Sequence, residues 1–207
     1  MHFNKFPEFS EKSTNHKLLS MNKGFIQQKG AYRKLRCYQL AEHIYDATFV
    51  FCERFIGYGD RTKDQMVQAA RSGKQNIAEG SAAATTSTKT EIHLTNVAKA
   101  SLQELLADYE DYLTVRSKEI WQLNDRRLMQ TREVLRRKMP REYIIAKAHN
   151  WNDTTLANVA ITMIHQCDYL LQRLIESQKQ RFLENGGISE EMTRARLEYR
   201  KKQRGKE

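Results

Sequence analysis

Six cations lie within one thirteen-residue stretch, Arg126, Arg127, Arg132, Arg136, Arg137 and Lys138. Guanidinium groups hold phosphate by charge and by paired hydrogen bonds, so this cluster suits an anionic polymer, and nothing in it reads base sequence. Tyr143 and Trp151 follow nearby. Each either stacks on unpaired bases or packs the segment down, packing being the ordinary role. Arg71 and Lys74 add two cations whose long side chains reach solvent from a helix edge. Other chemistries lack their parts. His165-Gln-Cys167 has the wrong spacing for one helical face, and His43, His93 and His149 are dispersed, so no metal is expected. Asn76 with Glu79, or Glu104 with Asp108, has no visible activating partner, so no catalytic residue is expected and the chain is read as a non-enzyme. Gly73-Lys74 lies mid-helix without the loop that cradles a nucleotide phosphate, and no cofactor is expected.

The elements that carry these groups are bounded by composition. A chain of 207 residues with 2 prolines and 9 glycines has few turns and long uninterrupted elements, which predicts an all-α protein and excludes a many-stranded sandwich or barrel. No apolar stretch is long enough to span a membrane, and the N-terminus lacks a signal-peptide pattern, so a cytoplasmic location is expected. Cys37, Cys52 and Cys167 are scattered and odd in number, as in a reducing compartment. The net charge of +10 is unevenly spread: residues 31–116 carry 11 charges of each sign, whereas 117–150 carry 9 basic against 4 acidic. Residues 1–30 hold 5 basic against 2 acidic, and 186–207 hold 7 against 4. A basic excess in arms and one inserted segment is what an anionic partner exploits, solubility being the plainer use.

Residues 1–30 show no sustained period and are read as a loosely ordered arm. From about Tyr32, the residues Leu35, Tyr38, Ala41, Tyr45, Thr48, Cys52 and Phe55 recur at steps of three and four, predicting helix one, ended by Gly57 and Gly59. Helix two is predicted over about 63–79, with Gly80 as a left-handed cap. Its Ala69, Ala70, Ser72 and Gly73 invite close approach of a neighbouring backbone, in a helix pair or between subunits, while Asn76 and Glu79 need partners if buried. Helix three is predicted from a capping box at Thr88 and Glu91 to about Val115, with Leu94, Ala98, Ser101, Leu102, Leu105, Tyr109 and Tyr112 inward. Asn124 is predicted to cap a short basic helix interrupted by Pro140, and the last long helix runs from about Asp153 to Gly186-Gly187 with Leu156, Ala160, Met163, Cys167, Leu170, Leu174 and Phe182 inward. Ser189 is read as the cap of a final solvated helix. The expected architecture is an up-and-down four-helix bundle over 31–185, with a basic insertion at 117–150 and a basic helical extension at 186–207.

The run from Gln65 to Gly80, QMVQAARSGKQNIAEG, followed by Ser87 to Glu91, Leu94, Ala98 and Ser101 to Leu105, resembles a family of small bacterial four-helix-bundle proteins encoded in intervening sequences of large-subunit ribosomal RNA genes. The accessory variability determinant of diversity-generating retroelements belongs to the same superfamily. The resemblance covers about residues 32–115 and extends to 151–185, and the insertion and basic ends make the chain similar to longer, suffix-bearing members. It implies a bundle protomer in a homopentameric ring, and Ala69, Ala70, Ser72, Gly73, Asn76, Glu79 and Ser101 are expected to serve either that assembly or helix packing within the protomer. It further implies a basic surface for RNA or DNA and, in the retroelement branch, docking onto a reverse transcriptase. The competing expectation is a protein scaffold whose basic insertion meets an acidic partner without touching nucleic acid.

Overall fold

A computed structural model describes residues 31–204, and the arm expected over 1–30 lies outside the described residues. Every regular element among them is helical. A short 3-10 turn at Ala31–Lys34 leads into α1 (Arg36–Phe55), α2 (Arg61–Ala83), α3 (Thr88–Val115), α4 (Arg126–Arg136), α5 (Arg141–Asn150), α6 (Asp153–Asn185) and α7 (Ile188–Arg204). No helix among the described residues is long and apolar enough to cross a membrane.

Local chemistry sets the helix ends. The Asp60 carboxylate accepts from Thr62 N at 2.9 Å to start α2, and the Asn152 amide oxygen accepts from Thr155 N at 2.8 Å to start α6. Gly186, at φ 76°, stops α6 in a backbone conformation that a side chain resists. Three expected caps move. Ser87, not Thr88, caps α3 by accepting from Thr90 N at 3.2 Å, and Asp125, not Asn124, caps α4 by accepting from Arg127 N at 2.8 Å. Ser189 lies inside the first turn of α7, not ahead of it. Gly80 is not a C-cap either. It sits within α2, where an added Cβ would lie 3.3 Å from Glu91 O and 3.4 Å from Leu94 Cβ, so its role is to let α3 come close.

Four helices share the core. α1 packs on α2 and α6, and α3 packs on the same two, so α1, α2, α3 and α6 close a cycle. Ile44, Phe51, Met66, Leu102, Leu105, Met163 and Ile164 are fully buried between them. Tyr109, also fully buried, donates its hydroxyl proton to Thr48 Oγ1 at 3.0 Å, which satisfies both groups away from water. The small face of α2 is used up in this packing. Ala69 and Ala70 are buried, Ser72 Oγ meets Ser101 Oγ at 2.9 Å, and Gly73 faces Leu102. Asn76 Nδ2 donates to Ser72 O at 2.9 Å, whereas Glu79 is exposed and accepts from Gln75 Nε2. Phe182, expected inward, is 45% exposed, and Leu171, Ile175 and Gln178 are the buried side chains on that part of α6.

Glu91 does not complete a capping box. Its buried carboxylate turns to α6, where it pairs with Arg181 and accepts from Gln178 Nε2 at 3.2 Å. Burial outweighs the Arg181 charge and raises the Glu91 pKa above its usual value. The folded chain therefore holds this proton more tightly than the unfolded chain. The resulting stabilisation is complete below the unfolded pKa of 4.5 and is lost as pH rises through the higher folded pKa. Glu91→Gln cannot titrate, so between pH 7 and pH 4.5 the parent should gain melting temperature relative to this variant. Equal changes in thermal melts across that range would show that Glu91 does not titrate abnormally.

The segment 117–150 holds two helices, not one. Pro140 lies in the break between them, after α4 has ended at Arg136. It is the residue from which α5 starts, its fixed φ suiting a helix entry. Leu128 and Leu135 of α4 are buried on the side toward α6, and Ile144 and Ala148 of α5 on the side toward α1. Two arginines of α1 bind the last carbonyls of these helices. Arg36 donates to Leu135 O at 2.6 Å and Arg137 O at 2.7 Å, and Arg54 donates to Ala148 O at 2.6 Å and Trp151 O at 2.8 Å. A cation at each helix C-terminus satisfies orphan carbonyls and complements the macrodipole. Arg141 clamps the buried Asp46 carboxylate with bonds of 2.5 and 2.6 Å, completing the attachment of α5 to α1.

Candidate functional site

The cations expected to bind phosphate divide by what else they do. Arg127 is committed within the fold: it pairs with Asp125 and Glu119 at 2.6 Å each and lies over the Trp121 ring. Arg136 and Arg137 share Glu133 at 3.5 and 3.9 Å, exposed pairs that yield readily to a competing anion. Arg126 and Lys138 are exposed, and neither they nor Arg132 form an ion pair or side-chain hydrogen bond among the described residues. Arg71 is exposed on α2, and Lys74 Nζ rests over the Tyr45 ring at 4.0 Å. α2 packs on α1 and α3 whereas α4 packs on α6, so Arg71 and Lys74 stand apart from the α4 cluster.

The clasp of Arg36 on the end of α4 adds what the sequence did not show. It ties the first turn of α1, which follows the exposed Arg33 and Lys34 in the chain, to the end of α4 that carries Arg136, Arg137 and Lys138. Between α1, α4 and α6 an open groove of about 460 Å³ is lined by Arg36, Arg132, Arg136, His165 and Tyr169, with Leu40, Leu135 and Leu170 beneath. Gln166 Nε2 donates to Arg132 O at 3.3 Å and fixes α4 on α6 beside it. Arg36, His165 and Tyr169 had no functional assignment from sequence. The readable signal was Tyr169 itself, an aromatic one turn after His165 and outside the apolar stripe of α6. Tyr143 and Trp151 are half-buried against the core, which is packing.

A second groove, between α1 and α5, is lined by Tyr45, Phe49, Glu53, Ile145 and His149. Its acids Asp46 and Glu53 are already paired with Arg141 and Lys63, and its lining holds no lysine or arginine to offer a phosphate. No group of three or more His, Cys, Asp or Glu among the described residues is placed to hold a metal ion. Burial pushes the thiols of Cys37 and Cys52 up to about 11 and about 12, which leaves them protonated and poor nucleophiles. His43 is buried with Nδ1 unpartnered, and burial lowers its pKa, so it stays neutral inside the fold.

Protein-family models, curated proteins and solved structures were each compared with the chain, and none matches. The likeness to the intervening-sequence family therefore rests on the residues quoted between Gln65 and Leu105 alone.

Proposed function

We propose that this chain is a non-enzymatic, basic protein that binds nucleic acid through phosphate, with little selectivity for sequence. α1, α2, α3 and α6 serve as an up-and-down four-helix bundle, their short connections at 56–60 and 84–87 favouring antiparallel neighbours. α4 is mounted on this frame as the binding element. The observation that carries the reading is the Arg36 clasp, which joins the basic start of α1 to the basic end of α4 and makes one cationic surface from two distant parts of the chain. The cations there are exposed or weakly paired, and the paired acid among them is Glu133. Such a surface attracts a polyanion and holds it by counterion release.

Self-association and service to a reverse transcriptase belong to the same proposal, supported by the sequence resemblance. Because the small residues of α2 are covered by α3 of the same chain, a ring must be built through other surfaces. Phe182, Leu183, Met192 and Tyr199, all between 45 and 76% exposed along α6 and α7, are apolar groups suited to that contact. The binding reading is tested by reversing the charge of Arg132, Arg136 and Arg137 and titrating unrelated RNA and DNA. A variant that binds like its parent would favour the scaffold with an acidic partner.

A further inference from the structure

The groove between α1, α4 and α6 carries more than charge. Its floor of Leu40, Leu135 and Leu170 offers nothing to a phosphate, and beside it the Tyr169 ring is 63% exposed and makes no ring contact among the described residues. Arg132 and Arg136 stand on the opposite wall with no buried counter-ion, since Glu133 forms only exposed pairs and Asp168, next to Tyr169 in the chain, is held by Lys99 and Gln103. An apolar floor, an open aromatic face and cations at the rim are the parts that hold an unpaired base with its flanking phosphates. A paired base keeps both faces covered by its neighbours in the stack and cannot use them.

Resting on the nucleic-acid reading above, we propose that this groove seats an unpaired base of single-stranded nucleic acid, with Tyr169 as the stacking platform and Arg132 and Arg136 on the phosphates. The consequence is a preference that charge alone opposes. Duplex DNA presents phosphates more densely than a single strand, so a purely electrostatic surface binds duplex better.

The full chain is titrated with single-stranded RNA, single-stranded DNA and duplex DNA of one length and matched sequence, at one salt concentration. Each single strand should bind at least about tenfold more tightly than the duplex. Tyr169→Ala should cost about tenfold against single strands, with no change against duplex, and Tyr169→Phe should bind like the parent because the ring supplies the platform. Tyr169 is exposed, so these variants keep their fold, which circular dichroism verifies. Duplex binding as tight as that of either strand overturns the base seat while leaving nucleic-acid binding standing. So does a Tyr169→Ala variant that weakens all forms equally or none. Absence of binding to all three probes overturns the underlying reading as well.

Discussion

Replacing Arg132, Arg136 and Arg137 together with Glu should weaken binding to unrelated RNA and DNA alike, on the order of a hundredfold or more at low salt. Each phosphate that the variant no longer neutralises should lower the slope of log affinity against log salt by roughly 0.7–0.9, so the three changes together should remove about 2 to 3 from it. The two titrations should then converge as salt rises, which a general loss of folded protein would not produce. The fold has little stake in these side chains. Arg136 and Arg137 hold only exposed pairs with Glu133, Arg132 contributes to α4 through its carbonyl, and the Arg36 clasp grips the backbone of Leu135 and Arg137. Reversal places new like charges three and four residues from Glu133, a cost of a few tenths of a kcal/mol each. An unchanged salt slope would remove α4 from the binding surface.

Gly73→Leu should be the most damaging single change. A Cβ at Gly73 would stand 2.7 Å from Leu102 Cδ2 and 2.8 Å from Leu102 Cγ, with Ala98 O at 3.5 Å. Leu102 is fully buried among packed neighbours, so α2 and α3 must separate to admit the larger side chain. Overpacking of this kind costs up to about 3 kcal/mol. For a domain of this size that is roughly 6–12 °C of melting temperature. Ser72→Ala, which removes the bond to Ser101 and the one that Ser72 Oγ accepts from Asn76 Nδ2, should cost about 1–2 kcal/mol. The shift at Gly73 should be the same at low and high protein concentration, and light scattering should give parent and variant the same mass below the transition. A variant that melts normally but loses assembly would place Gly73 at a subunit contact instead.

The long helices were legible because their stripes are sustained: α1 follows its spacing, α6 does so as far as Cys167 before the buried side passes to Leu171, Ile175 and Gln178, and α3 ends at Val115 as its pattern says. What failed was decided by neighbours. Gly80 reads as a stop signal in one dimension, yet it continues α2 because α3 lies against it. Glu91 fits a capping box by spacing, but Arg181 and the buried Gln178 on α6 prevail over the local backbone. α5 buries only Ile144 and Ala148, too short a stripe to stand out. The cationic cluster of α4 was visible as composition. The groove beside it was not, because Arg36, Arg132 and Tyr169 are far apart in the chain and meet only once α4 is clasped to α1 and α6.

The most direct test of the phosphate-binding surface is the affinity of the unaltered chain for two unrelated sequences, each as RNA and as DNA, measured by fluorescence anisotropy across a series of salt concentrations. The exposed cations Arg33, Lys34, Arg126, Arg136, Arg137 and Lys138, with the half-buried Arg132, can engage several phosphates at once. The expected result is similar affinity for the two sequences and a log–log slope of about −4 to −6. No measurable binding at low salt, or binding that salt leaves unchanged, would contradict phosphate recognition by this surface.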